Sequence, residues 1–278
     1  MIERIIDTEI ASIAAYASLS AAQPGRPLIV AIHGGCFTAR YFDSPGFSLR
    51  EMAAAEGFGV ILLDRPGYGK SRYRIQSSDI LHDNMTALSE AIGTLWREYG
   101  AIASGIYLVG HSIGGALALM MSAAPRDWPL AAVAVSGIGD VQPEAIKQYF
   151  AGLPDTPSLE ITREMLVELF FAPGAASEAA LDSMGAATVP AIVEEVRDIY
   201  GVWMPQALAT LGAIRAPVQF IFAEFEVLWQ ADVHARARVA AALDNAARRD
   251  VRIFPGVGHC IDFHPESRTY HRQILDFP

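Results

Sequence analysis

The sequence predicts an α/β fold in which a mostly parallel sheet carries helices on both faces. Three observations predict it. Short β-branched or aliphatic runs alternate with longer helical patterns over most of the chain. One such run, Ile106 to Val109, leads through a glycine-flanked turn into the small-residue apolar run Gly115 to Met121, a strand–turn–helix unit. The 278 residues, 52% hydrophobic and 19% charged, suffice for one large core.

In chain order, two alternating segments at about 2–10 and 12–18 predict an antiparallel edge. Strands follow at Leu28 to Ile32, Val60 to Leu63, Ile106 to Val109, Ala131 to Val135, Val218 to Phe222 and Val251 to Phe254, each bounded by Gly, Pro or Asp. The clearest helix spans 79–99. Asp79 can cap it, and Met85, Leu88, Ile92, Leu95, Trp96 and Tyr99 recur at helical spacing. From about Asp140 to Gly212 the alternation breaks. Six prolines punctuate helical patches there, no strand is predicted, and Tyr149, Phe150, Phe170, Phe171, Tyr200 and Trp203 look exposed. The segment 140–212 is therefore expected to be a helical cap inserted between the sixth and seventh strands, with 1–139 and 213–278 forming the core domain.

The formal net charge of −10 argues against nucleic acid or an anionic membrane as partner. The pairs Arg236/Arg238 and Arg248/Arg249 read as solvated faces. Cys36 and Cys260 fit no metal or disulfide spacing, which predicts reduced thiols in a cytoplasmic protein. The first residues, with Glu3, Arg4 and Asp7, do not form a secretory signal pattern. No uninterrupted apolar run reaches the roughly 20 residues that span a bilayer. Neither monomer nor homodimer is favoured.

Gly110-His111-Ser112-Ile113-Gly114 has the G-x-S-x-G pattern between strand and helix. Such a turn exposes the serine hydroxyl at the end of a sheet, and the helix start beyond it favours a developing oxyanion. A serine needs a base, and the base needs an orienting acid. His259, in the tight loop Pro255-Gly256-Val257-Gly258-His259, is the candidate base. The acid is expected beyond the strand Val218 to Phe222. Glu226 is the first choice, with Glu224 and Asp140 as alternatives. The oxyanion donors are the Ile113 N–H and, from His33-Gly34-Gly35-Cys36, the Gly35 N–H with Cys36 as the alternative. His33 is expected to hold that loop and His111 to be packed. His82, His234, His264 and His271 read as surface or helix-end residues, and Cys260 as structural.

These motifs, together with Leu63-Asp64-Arg65-Pro66-Gly67-Tyr68-Gly69-Lys70-Ser71, which resembles a D-x-P-G-x-G-x-S turn, and the run PGVGHCIDFHP at 255–265, make the chain similar to α/β-hydrolase fold enzymes over nearly its whole length. The resemblance implies an eight-stranded sheet, a cap after strand six, no metal and no cofactor. It also implies structural turn roles for Asp64, Gly67, Gly69 and Ser71. The family's usual acid is Asp, and here Glu226 stands in that place. The function expected is hydrolysis of a small or medium hydrophobic ester, lactone or thioester through an acyl-serine. C–C bond hydrolysis, a perhydrolase-type reaction and non-catalytic ligand binding on the same scaffold are the alternatives. The pocket floor is expected from Phe37, Ile113 and Trp229, and its roof from Phe150, Phe171 and Trp203.

Overall fold

The computed structural model describes all 278 residues. Strands β1 (Ile2–Asp7) and β2 (Ala11–Ser18) pair antiparallel, Ile2 opposite Ala17 and Asp7 opposite Ser12. β3 (Leu28–Ile32) is followed by α1 (Leu49–Ala55) and β4 (Val60–Leu63). The short β5 (Arg72–Tyr73) returns to pair with β2. Then come α2 (Ile80–Tyr99), β6 (Ile106–His111), α3 (Ile113–Ala123) and β7 (Leu130–Ser136). The sheet order is β1-β2-β4-β3-β6-β7, completed by β10 (Val218–Phe225) and β11 (Arg249–Gly258).

Every residue of β3, β4 and β6 is buried, so helices must cover both faces of the sheet. β1 lies at the rim and is almost wholly exposed. Its Glu3 and Arg4 reach Lys70 and Glu98, and these charges discourage further strand pairing. Asp79 caps α2 as its position predicts, accepting a bond from the His82 N–H at 3.1 Å. β10 and β11 run longer than their apolar cores suggest. They stay paired past a register shift between Ala223 and Phe225, so both loops beyond them leave the sheet side by side.

Between β7 and β10 lie α4 (Glu144–Ala151), β8 (Ser158–Leu159), α5 (Arg163–Phe170), α6 (Glu178–Gly185), β9 (Ala191–Ile192), α7 (Val193–Asp198) and α8 (Met204–Ala213). Two features differ from the sequence-based expectation. β8 and β9 form a two-residue antiparallel ladder where no strand is predicted. α8 packs on α3 and on α9 (Val233–Ala242), within the layer of core helices, so the part lying outside that layer ends near Trp203. α7 and α8 are joined by a π-helical stretch, Ile199–Trp203, just before Pro205. Proline has no N–H to continue the ladder, which favours a widened turn there. The C-terminal α10 (Ser267–Leu275) closes the fold. One apolar cluster includes Phe170, Leu181, Met184 and Trp203 of the inserted segment together with the strands of the sheet, so the two parts share a core.

Candidate active site

Ser112 sits between β6 and α3 with φ +54° and ψ −124°. A non-glycine residue rarely adopts this conformation, which is held here by its surroundings. The Ser112 N–H donates to Ser136 O on β7 at 2.8 Å. The turn also depends on close backbone approach: a Cβ on Gly114 would lie 2.1 Å from Ile32 O. As the first residue of α3, Ile113 leaves its N–H without a helical partner. The Gly35 and Cys36 N–H groups make no bond within the protein either, and all three residues line the cleft that holds Ser112. Cys36 takes φ +59°, turning the chain at this point.

His259 follows β11 and is buried. Its Nδ1 lies 2.9 and 3.0 Å from the two Glu226 oxygens, to which it donates, and Nε2 makes no bond within the protein. Glu226 also accepts from the Leu228 N–H at 2.9 Å, which fixes its carboxylate. Phe170 stacks on the imidazole at 5.5 Å, and His111 meets it edge-on at 4.9 Å. The Ser112 hydroxyl and the His259 ring open into one cleft without a direct hydrogen bond between them. Catalytic bonds are often loose before substrate binds.

The two alternative acids are engaged elsewhere. Asp140 is clamped by Arg238, with Nε to Oδ2 at 2.7 Å and Nη2 to Oδ1 at 3.1 Å. Glu224 is exposed and accepts from the Gly256 N–H at 2.7 Å. Residues two apart on a regular strand share a face; the register shift between Ala223 and Phe225, and the end of β10 at Phe225, take Glu226 towards His259 and leave Glu224 at the surface.

Behind the site are residues for which the sequence gives little warning. His33 Nε2 accepts from the Arg65 N–H at 3.0 Å, consistent with the loop-holding role expected of it. The Arg65 guanidinium donates to Gly34 O at 3.0 Å and forms a fully buried ion pair with Glu195 of α7. Burial opposes its charge, but Glu195 together with Tyr68 and Tyr73 more than offsets this and raises the Arg65 pKa above its ordinary value. Tyr68 also donates to Glu195, at 2.7 Å. Arg65 occupies the variable position of the D-x-P-G-x-G-x-S turn, and its partner lies 130 residues away. No local pattern could pair them.

His264 and His271 are buried, contrary to the surface placement expected of them. His264 Nε2 accepts from the Gly258 and Ala172 N–H groups, tying the His259 loop to the inserted segment. His271 bonds Asp262, which also accepts from Tyr41. Burial lowers the pKa of His264, and pushes that of His111 down to about 3 with help from the neighbouring His259. Burial, then the Arg65 charge, drives that of His33 well below the usual histidine range.

The cleft is narrow, with a cavity volume of about 90 Å³. Hydrophobic residues make up 17 of its 22 lining residues, and none is Asp, Glu, Lys or Arg. Of the residues expected to form the pocket, Phe37, Ile113, Trp229 and Phe150 line it. Phe171 and Trp203 do not. α5 ends at Phe170, and the extended backbone of Phe171 turns its ring away from the cleft onto His264. Phe170 faces the cleft instead. Trp203 is fully buried and donates its indole N–H to Gly139 O at 2.8 Å, pinning the inserted segment to the loop after β7. No group of three or more His, Cys, Asp or Glu is arranged to hold a metal ion. No helix is long and apolar enough to cross a membrane.

A mostly parallel sheet with a serine in a strained strand-to-helix turn, and a histidine–carboxylate pair beside it, defines the class of α/β-hydrolase folds. The chain belongs to the alpha/beta hydrolase family, whose sequence model matches residues 29–270. Similar solved structures include a hydrolase from Pseudomonas aeruginosa, with TM-score 0.72, 16% identity and coverage of 99% of this chain and 97% of that one. A monoacylglycerol lipase from Paleococcus ferrophilus gives TM-score 0.66 and 20% identity, covering 94% and 97%. A thermophilic esterase from Thermogutta terrifontis gives 0.67 and 17%, covering 99% and 100%. No protein of curated function matches the sequence significantly.

Proposed function

We propose that the protein is a serine hydrolase that cleaves a small or medium hydrophobic ester, lactone or thioester through an acyl-enzyme. Ser112 is the nucleophile, His259 the general base and Glu226 the acid. The observation that carries this reading is the buried Glu226–His259 pair opening with Ser112 into one apolar cleft. His259 Nε2 takes the Ser112 proton as Oγ attacks the acyl carbon. The Ile113 and Gly35 N–H groups, with the Cys36 N–H beside them, receive the oxyanion. His259 then gives its proton to the leaving alcohol or thiol. Water, activated by the same ring, attacks the acyl-serine, and the serine is regenerated. A charged acyl group would find no counter-charge in the wall, so the substrate body is apolar. The segment from about 141 to 203 acts as the lid, because its Phe150, Leu169 and Phe170 lie against the cleft. The esterase and lipase named on similar folds are compatible with ester chemistry.

The test is labelling with a fluorophosphonate together with hydrolysis of a chain-length series of p-nitrophenyl esters. Wild type should be labelled at Ser112, and Ser112→Ala should lose label and roughly 10⁴-fold or more of kcat. Near-normal hydrolysis by Ser112→Ala would refute the mechanism. No label and no hydrolysis by wild type would favour a non-catalytic binding protein.

A further inference from the structure

The wall of the cleft contains a buried amide side chain that the proposed mechanism does not use. Gln142 is 3% exposed, lines the same cleft as Ser112, and its amide oxygen has no partner in the protein. It is not loosely placed. The neighbouring Val141 carbonyl accepts from the Gln230 N–H at 2.9 Å, which fastens this stretch beside the Trp229 loop. The other polar side chains of the cleft are committed or lie at its edge. Ser112 and His259 serve the reaction. His111 is neutral, with Nε2 bonded to His259 O at 3.2 Å. Its Nδ1 is also unpartnered, but it lies at the elbow, where a Cβ on Gly34 would come within 2.9 Å of it. Tyr149 is 43% exposed. A buried amide oxygen in an apolar wall is unfavourable unless a ligand or water supplies a donor. A substrate that expels such a water must replace its bond or lose affinity.

We infer that Gln142 is a specificity-determining residue that selects esters whose otherwise apolar body carries one uncharged hydrogen-bond donor, a hydroxyl group. This rests on the serine-hydrolase reading above. The donor is neutral because no charged residue lines the cleft. It is carried either by the acyl chain or by the alcohol.

Two ester pairs in which a hydroxyl replaces a methyl of similar size separate these sources. The alcohol-side pair is 2-hydroxyethyl hexanoate against propyl hexanoate. The acyl-side pair is propyl 3-hydroxyhexanoate against propyl 3-methylhexanoate. Wild type is expected to favour the hydroxyl member of one pair by about tenfold or more in kcat/KM. Gln142→Leu should reduce that preference at least tenfold while turnover of the methyl esters persists. A merely structural role would lower both members alike. Gln142→Met, unbranched at Cβ and Cγ like glutamine, keeps the test open should the leucine variant not fold. An unchanged hydroxyl-to-methyl ratio in both pairs overturns the role of Gln142 and leaves the hydrolase reading standing. So does failure to cleave any of the four esters while Ser112 still takes the fluorophosphonate. Loss of labelling and of all turnover in wild type overturns both.

Discussion

The Arg65–Glu195 pair offers the sharpest test of how the scaffold holds the site. Both side chains are essentially inaccessible, at 0% and 1% exposure. Glu195→Gln leaves the Arg65 charge buried beside a neutral amide. Removing one partner of such a pair typically destabilises by about 3–5 kcal/mol. At about 2–4 °C per kcal/mol for a large domain, Tm should fall by roughly 6–20 °C. The damage should extend to catalysis, because Arg65 also donates to Gly34 O and, through its N–H, to His33, both in the loop that leads to Gly35. A double variant, Arg65→Leu with Glu195→Leu, removes both charges and should recover much of the stability. Its kcat should stay low, since Gly34 O has lost the guanidinium donor. Thermal unfolding followed by circular dichroism, alongside kcat on a p-nitrophenyl ester, separates the two effects. A Tm shift of under about 2 °C for Glu195→Gln would refute the reasoning, and so would full kcat in the double variant.

Three further outcomes are expected. Gly137 has φ +64°, and a Cβ there would lie 2.8 Å from His111 Nε2 and 3.0 Å from His259 Cε1. Gly137→Ala should therefore lower kcat by about 10-fold to 100-fold through displacement of the base, and an unchanged kcat with a folded variant would contradict this. Trp203→Ala should destabilise by about 3–5 kcal/mol without changing substrate preference, whereas Phe150→Ala should alter the ratio of kcat/KM between short and bulky esters by about 1–3 kcal/mol. The reverse pattern would mean that the lining is wrongly assigned. Stability should also fall with acid, beginning near pH 6.5, because His33, His111 and His264 have lowered pKa values when folded. The unfolded chain then binds protons that the native state refuses, so their contribution is complete above the unfolded value and is lost as pH falls towards about 3 for His111. Three such groups give a slope of at most about 4 kcal/mol per pH unit, and a flat urea-unfolding free energy between pH 7 and 5 would show that these rings are not held neutral.

Local chemistry made much of the fold legible. Fully apolar runs of four or five residues bury both faces and so announce parallel strands, and Asp79 announces the start of α2 by its capping oxygen. The serine turn and the histidine loop were equally legible, since each concentrates its glycines within a few residues. Glu226 was readable only as the first of three carboxylates. Its bond to His259 depends on β10 and β11 remaining paired beyond the register shift, a contact between segments 33 residues apart. The choice between Phe170 and Phe171 turned on the residue at which α5 stops. The inward or outward aspect of two adjacent side chains reverses there as the backbone becomes extended.

The sequence by itself therefore determined the order of the main strands and helices, the strained serine turn and the glycine-rich loop of His259, because each rests on interactions spanning only a few residues. The tertiary structure alone decided which carboxylate meets His259, that α8 joins the core layer, and that Trp203 is a strut rather than a pocket wall. It also decided that Arg65, His264 and Asp262 are buried charges or rings held by distant partners. A buried polar group is tolerated only where a partner meets it, and that partner is brought by the path of the whole chain rather than by its neighbours in sequence.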